Sequence, residues 1–233
     1  LCSFVEIGGK VFEGIFIRRM TRFSALVHFD NKKVLCFLPN PGRLHELLTP
    51  GVKVILKKPA FPNRKTCYDL IGVYCGSQLV SVDSRIPNRL VFEALRNRGI
   101  PEFSGYSKII TEYRRGNSRF DFLLCNGLAS CFLEVKSCTL VKDGVAMFPD
   151  AKTVRGARQV LQLSEAKKEG FRACMLFIVQ RMDASSFTLN EKADPNFGRV
   201  LRDASKCGVE TYAYRSEFDG YKIALKGRLN VKL

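Results

Sequence analysis

The hydrophobic pattern changes once along the 233 residues, near Asp83, and that change limits the fold more than any other feature. Before it, short alternating runs at residues 9–18, 24–29, 33–38, 52–58, 66–74 and 78–82 read as strands. Turn chemistry separates them: Asp30-Asn31, Pro39-Asn40-Pro41-Gly42, Pro50-Gly51, Pro62-Asn63 and Gly76-Ser77. Only 44–48 looks helical. Five or six short strands with one brief helix predict a small barrel of the OB type over residues 1–83.

Beyond Asp83 the period lengthens. Residues 88–98 predict a helix with Leu90, Val91, Ala94 and Leu95 on one face and Gly99 stopping it. Three strands follow at 108–114, 119–125 and 130–136, the last two joined through Asn126-Gly127, a strong hairpin signal. A helix over 152–168 ends at Gly170, and the strand 173–179, the helix 196–206 and a final strand 209–214 complete the order α-β-β-β-α-β-α-β. The expected class is α+β in two domains: an N-terminal OB-like barrel, and at 84–233 a mixed sheet flanked by helices, antiparallel at first and parallel afterwards.

The hydrophobic fraction of 46% supports a true core, and no apolar run approaches the roughly 20 residues that span a bilayer. Residues 173–179 are too few for that and read as a buried strand. The chain begins with Leu, so a few preceding residues are expected to be missing; no signal-peptide pattern is visible in what remains. The nine cysteines are scattered, odd in number and form no C-x-x-C pair, which argues against zinc or a disulfide framework and for a cytoplasmic setting. The net charge is +16, with 12 basic and 6 acidic residues up to Ser84 and 26 and 16 after it. A basic tail is excluded. Both halves would attract a polyanion, which favours nucleic acid over mere solubility as the reason for the charge.

A two-residue turn at Asn126-Gly127 would set Asp121 opposite Phe132 and Arg119 opposite Glu134. Alternation then places Arg119, Asp121, Phe132, Glu134 and Lys136 on one face, and Phe120, Phe122, Leu124, Leu133 and Val135 on the other. Asp121 and Glu134 become diagonal neighbours, roughly 7–8 Å apart at the backbone. Two converging carboxylates suit a hard divalent cation such as Mg2+ or Mn2+. Lys136 on the same face would orient a water or stabilise developing negative charge. By themselves Asp and Glu-x-Lys also describe a cross-strand ion pair; their placement on adjacent strands between two helices makes the pattern more specific.

The arrangement resembles the PD-(D/E)xK nuclease superfamily, here as Ser-Arg-Phe-Asp-Phe (118–122) and Glu134-Val135-Lys136, with no Pro before the Asp. That resemblance groups Asp121, Glu134 and Val135 as the metal site. It adds Glu93 from the preceding helix and Gln159 from the following one to the catalytic set of Asp121, Glu134 and Lys136. Over nearly its whole length the chain is similar to the sugar fermentation stimulation protein A (SfsA) family. The segments that carry this are Arg-Met-Thr-Arg-Phe (19–23), Leu-Pro-Asn-Pro-Gly-Arg-Leu (38–44), Asn-Arg-Leu (88–90), Ser-Gly-Tyr (104–106), Glu-Val-Lys-Ser-Cys-Thr-Leu (134–140), Phe-Pro-Asp-Ala (148–151) and Arg-Gly-Ala-Arg-Gln (155–159). The resemblance implies an OB-like domain, a nuclease-like domain, DNA binding and a link to sugar use, notably maltose metabolism.

Candidate nucleic-acid contacts are Arg18, Arg19, Arg22 and Phe23, which mix cations with an aromatic as single-strand binders do. Asn40 and Arg43 in the Pro-rich turn, Arg114 and Arg115 at Gly116-Asn117, and Arg155 with Arg158 join them. The bland alternative for each is a strand end, a turn or solvated charge. His28 and His45 have no visible Ser or Cys partner, so a triad has no support, and Ser137 fits the turn or site shell better than a nucleophile's role. Three functions remain open at this point: a metal-dependent DNA nuclease, a DNA-binding regulator that keeps the fold without cleavage, and an enzyme of phosphorylated sugars. The last lacks any G-x-x-x-x-G-K-[ST] loop. The strandedness of the DNA is left open.

Overall fold

A computed structural model describes residues 3–59, 64–116, 118–127 and 129–233. The Pro62-Asn63 turn and Asn117 lie outside the described residues. The first strand, β1 (Phe4–Glu6), is followed by β2 (Val11–Thr21), β3 (Ser24–Phe29), β4 (Lys32–Phe37), β5 (Lys53–Lys57), β6 (Tyr68–Cys75) and β7 (Gln78–Ser81). Strands β2 to β6 close into a ring in the order β2-β3-β4-β6-β5, sealed by the parallel pairing of β4 with β6. This is the OB-type barrel expected from the strand pattern. Asp30 and Asn31 both hold left-handed backbone, the conformation a two-residue hairpin between β3 and β4 requires. Phe16, Val27, Leu38, Leu56, Leu70 and Val73 fill the barrel.

Two expectations for this half need correcting. Residues 44–48 form one turn, with Leu47 and Leu48 N–H groups both donating to the Leu44 carbonyl, and not a helix. Leu44, Leu47 and Leu48 are buried there, so tertiary packing holds what local propensity could not extend. Residues 1–83 were assigned to one domain, yet β1 pairs antiparallel with a strand of the second sheet, in register Phe4 to Ala224.

The second half opens with α1 (Ile86–Arg96) and continues through β8 (Lys108–Arg115), β9 (Ser118–Cys125) and β10 (Ser130–Cys138). Then come β11 (Val141–Lys142), β12 (Val145–Phe148), α2 (Val154–Lys168), β13 (Arg172–Val179), β14 (Ser186–Leu189) and α3 (Pro195–Lys206). The chain ends with β15 (Glu210–Phe218), β16 (Lys222–Arg228) and β17 (Asn230–Lys232). A seven-stranded mixed sheet runs β1-β16-β15-β13-β10-β9-β8, and β11-β12-β14-β17 make a smaller one. Strands β10, β13 and β15 are parallel neighbours, as the crossover helices α2 and α3 require. Helix α1 covers one face of the large sheet through Leu90, Val91 and Ala94. Helices α2 and α3 cover the other through Val160, Leu163, Phe197 and Leu201.

The expectation of a final strand at 209–214 also fails, because β16 and β17 follow it. Thr153 caps α2 by accepting the Gly156 N–H at 3.1 Å, and Gly170 ends it in left-handed backbone. Helix α1 stops differently. Arg98, not Gly99, takes the left-handed turn, while a Cβ at Gly99 would come within 2.6 Å of the Ser3 hydroxyl. No helix among the described residues is long and apolar enough to cross a membrane.

Candidate active site

The hairpin of β9 and β10 is built on a four-residue connection, 126–129, and not on two residues. Cys125 faces Ser130 and Phe122 faces Leu133, so every partner shifts by two. Asn126 closes the longer loop, its side-chain oxygen accepting the Ala129 N–H at 2.9 Å while its own N–H donates to the Ala129 carbonyl at 3.1 Å. The expected partners Asp121–Phe132 and Arg119–Glu134 are therefore replaced. A shift of two preserves side-chain parity, however, and continuing the register sets Asp121 opposite Glu134.

The paired ladder stops before reaching them. Beyond Leu133 the Val135 N–H is taken by Asp121 Oδ2 at 2.8 Å, a side chain standing in for the next strand bond. On the other flank the ladder to β8 skips Asp121, where the facing Glu112 has φ of 53°. This double interruption breaks the expected alternation. Phe120 packs with Phe132 and Leu123 on the α2 side, while Phe122, Leu124, Leu133 and Val135 pack on the α1 side. Asp121 thus sits at a break in the ladder, its carboxylate held between the Val135 N–H of β10 and the Asn88 amide of α1.

Glu134 is 2% exposed, an extreme for a carboxylate. Its Oε1 accepts from Lys136 Nζ at 2.5 Å and from the Gln159 amide, while Gln159 Oε1 accepts from Lys136 Nζ at 2.9 Å. These three side chains form a closed ring of hydrogen bonds between β10 and α2. Glu134 Oε2 is buried and has no hydrogen-bond partner among the described residues. Burial pushes the Glu134 carboxyl up to about 7; the neighbouring Lys136 opposes this and Asp121 adds to it. Lys136 pairs with Glu134, whereas the Asp121 carboxylate is bonded to neutral donors, the Asn88 amide and the Val135 N–H.

The residues fit a hard divalent cation on two counts. An orphaned buried carboxylate oxygen is costly unless something binds it. The two carboxylates with the Val135 carbonyl offer oxygen donors alone, the type Mg2+ prefers alongside water. Among the described residues no three His, Cys, Asp or Glu side chains cluster as ligands, so a backbone carbonyl and water would have to complete the shell.

The cavity over this cluster is about 610 Å³ and has both halves of the chain in its walls. The barrel contributes Arg22, Asn40 and Gly42; the second half contributes Arg119, Asp150, Lys152 and Arg155. Asp150 joins the two walls, its Oδ2 accepting the Arg43 N–H at 2.7 Å. Gly42 makes room at this junction: a Cβ there would lie 2.4 Å from that oxygen, so a larger residue would push the Asp150 carboxylate away.

The sequence-predicted residues separate into groups. Asp121, Glu134, Val135, Lys136, Gln159, Arg22, Asn40 and Arg155 line the cavity together. Asn40 does so as a loop builder, its side chain bonded to Val82 O and Gly42 N. Arg19 likewise spends its guanidinium on carbonyls of Thr21, Arg22, Asn40, Gly42 and Arg43, and its burial lowers its pKa. Arg18, Arg22 and Arg43 line an adjoining basic pocket. Glu93 is absent from the walls of this cavity and lines a neighbouring groove that shares Asn88 and Asp121 with it, where it pairs with Arg96. Arg114, Arg115 and Arg158 are not in the cavity walls; Arg115 pairs with Glu169 and stacks on Phe132 and Phe171. Sequence reasoning missed Asn88, which holds Asp121 Oδ1 at 2.9 Å, and Asp150. Both lie in segments that carry the family resemblance, 88–90 and 148–151.

Comparison with known proteins agrees with this layout. A family profile described as the SfsA N-terminal OB domain matches residues 17–82, and one described as the sugar fermentation stimulation protein RE domain matches 85–222. A sugar fermentation stimulation protein homolog of Caldanaerobacter subterraneus is 43% identical over 227 residues, covering 97% of this chain and 99% of its own. A homolog from Clostridium perfringens is 43% identical over 222 residues, 95% of this chain and 96% of its own. The solved structure of Pyrococcus furiosus SfsA in complex with Ca2+ superposes with a TM-score of 0.91 at 31% identity, covering 99% of both chains.

Proposed function

The chain belongs to the sugar fermentation stimulation protein family, and we propose that it is a DNA-binding, metal-dependent nuclease centred on Asp121, Glu134 and Lys136. The observation that carries this reading is the buried, unpartnered Oε2 of Glu134 beside a second carboxylate in a basic cavity. The Ca2+ in the Pyrococcus relative supports a hard cation here, with Mg2+ or Mn2+ as the working metal. When bound, such a metal polarises a phosphoryl oxygen and lowers the pKa of its water.

The protein's own residues supply the rest. Lys136 points its ammonium into the cavity, two protons held by Glu134 and Gln159 and the third left with only a 3.5 Å contact to Val135 O. That proton is available to a phosphate oxygen or to the attacking water as negative charge develops. Asn88 and Gln159 are positioning residues: the first orients Asp121, and the second fixes Glu134 against Lys136. Arg22, Lys152 and Arg155 stand where the flanking phosphates of a nucleic-acid strand would lie.

The test is cleavage of labelled single-stranded, duplex and branched DNA with Mg2+ or Mn2+. Wild-type protein is expected to cut at least one of them, and Asp121→Ala to cut none while still binding it in EDTA. If all three stay intact with both metals, the protein is a binder that keeps the fold without the chemistry, and the proposal fails.

A further inference from the structure

We propose that Phe23 and Phe37 form a stacking platform for unpaired nucleobases, so that the cavity takes single-stranded DNA or a single-stranded branch. The inference rests on the nuclease reading, since it assigns a substrate class to that same cavity. Phe23 sits in the β2–β3 turn with 44% of its surface exposed, on a protein that buries most of its large apolar side chains. Its ring stacks with that of Phe37 at the end of β4, centroids 6.5 Å apart and planes 29° apart. With Phe23 exposed and Phe37 half-buried beneath it, the pair presents an apolar surface at the edge of the barrel rather than a core contact.

Cations surround the pair. Arg22 lies 5.4 Å from the Phe23 centroid, and Arg64 and Arg85 lie 5.6 and 5.7 Å from that of Phe37. Two of these guanidiniums are held in place by carboxylates: Arg64 by Asp69 at 2.5 Å, and Arg85 by Asp83 at 2.6 Å. The rings themselves are not in the walls of the cavity that contains Asp121 and Glu134, but Arg22 and Arg85 are, so the platform borders the reacting site through its arginines. On the other side, Arg18, Arg22 and Arg43 line the adjoining pocket of about 560 Å³, and no carboxylate does.

Rings flanked by guanidiniums, next to a basic track, match a nucleic-acid strand whose bases are free to stack and whose phosphates need charge. A duplex offers no such base face, because its bases are already stacked and paired. Its phosphates would still meet the arginines. The two aromatics therefore discriminate strandedness, while the arginines do not.

The experiment measures binding in EDTA, so that cleavage does not enter. Fluorescence anisotropy is read with a short oligothymidylate and with a duplex of the same length, for the full-length wild-type chain and for Phe23→Ala/Phe37→Ala. The double variant is expected to lose roughly tenfold or more in single-strand affinity, with duplex affinity changed less than about twofold. The chain has no tryptophan, so Phe23→Trp supplies a single tryptophan at the platform, excited selectively beyond the absorption of the seven tyrosines, and remains informative if the double variant fails to fold. Its emission should be quenched on saturation with the oligothymidylate and not with the duplex. Equal losses on both ligands, an unchanged single-strand affinity, or a Trp signal indifferent to strandedness would each overturn the proposal. Cleavage with Mn2+, assayed separately, reads the nuclease proposal: a duplex cutter without strand selection keeps that reading and loses this one. Selective single-strand binding without any cutting does the reverse.

Discussion

Single residues decide the chemistry, and Gln159 shows how. Its amide donates to Glu134 while its oxygen accepts from Lys136, so it holds a buried carboxylate and an ammonium in one geometry. Gln159→Leu removes both bonds at a position 7% exposed. The expected cost is about 1–3 kcal/mol of stability, read by urea denaturation. A cleavage rate lowered at saturating DNA, with little change in DNA affinity measured in EDTA, should accompany it. Asn88→Ala releases Asp121 Oδ1 and should lower the cleavage rate in the same manner; a change in DNA affinity alone would speak against its role as a positioning residue. At this scale the sequence was informative where parity was enough. Asp121, Glu134 and Lys136 came together although every hairpin partner was off by two, because a shift of two keeps the parity of the pairing; Phe120, next to the break at Asp121, nevertheless changed face. That break was not legible. It depends on a side-chain oxygen replacing a ladder bond, and on left-handed backbone at Glu112 across the strand.

Elements hold the site by their ends and loops. The turn at residues 39–43 owes its shape to Arg19, whose guanidinium reaches carbonyls across it, and to Asp150 from the opposite wall. Arg19→Ala should destabilise the protein by about 2–4 kcal/mol, since several carbonyls lose a charged donor at once, and thermal denaturation reads this. An effect on DNA affinity without loss of stability would return Arg19 to the contact residues. On the opposite side of the large sheet, Arg172 on β13 makes a paired contact with Glu210 on β15, at 2.8 and 2.7 Å. The Arg172 hydrogen bonds hold the Glu210 carboxyl below its usual range of 4.5, outweighing the effect of burial. A depressed carboxyl contributes stability above the unfolded value that is lost as pH falls through the folded one. Wild type should therefore lose stability on acidification below about pH 4.5, and Arg172→Met should flatten that part of the curve in urea titrations at stepped pH. The long helices and central strands were readable from periodicity, because α1, α2 and α3 each bury one stripe. Strands β1, β11, β12, β14, β16 and β17 were not. Most are short, and five of them, β1, β12, β14, β16 and β17, pair with partners remote in sequence, information that local patterning does not hold.

At the scale of the whole molecule, the charge surplus and the two-walled cavity belong to one account. The barrel and the mixed sheet each supply arginines to the cavity, and neither half alone forms it. Binding to DNA in EDTA should weaken steeply with salt, and Arg22→Ala/Arg155→Ala should reduce the slope of log affinity against log salt by about 2. A slope unchanged in that variant would remove both residues from the phosphate contacts. The change of pattern at Asp83 made the division into barrel and sheet visible in advance. The return of β1 to the second sheet was invisible, because three residues carry no period of their own.

The central claim, that the cluster between β9, β10 and α2 is a divalent-metal centre, is tested most directly by anomalous diffraction from crystals soaked in Mn2+. The account predicts a peak among the Asp121 carboxylate, Glu134 Oε2 and the Val135 carbonyl, and its loss in crystals of Asp121→Ala. Ordered crystals with no peak there, or with Mn2+ bound only elsewhere on the surface, would contradict it.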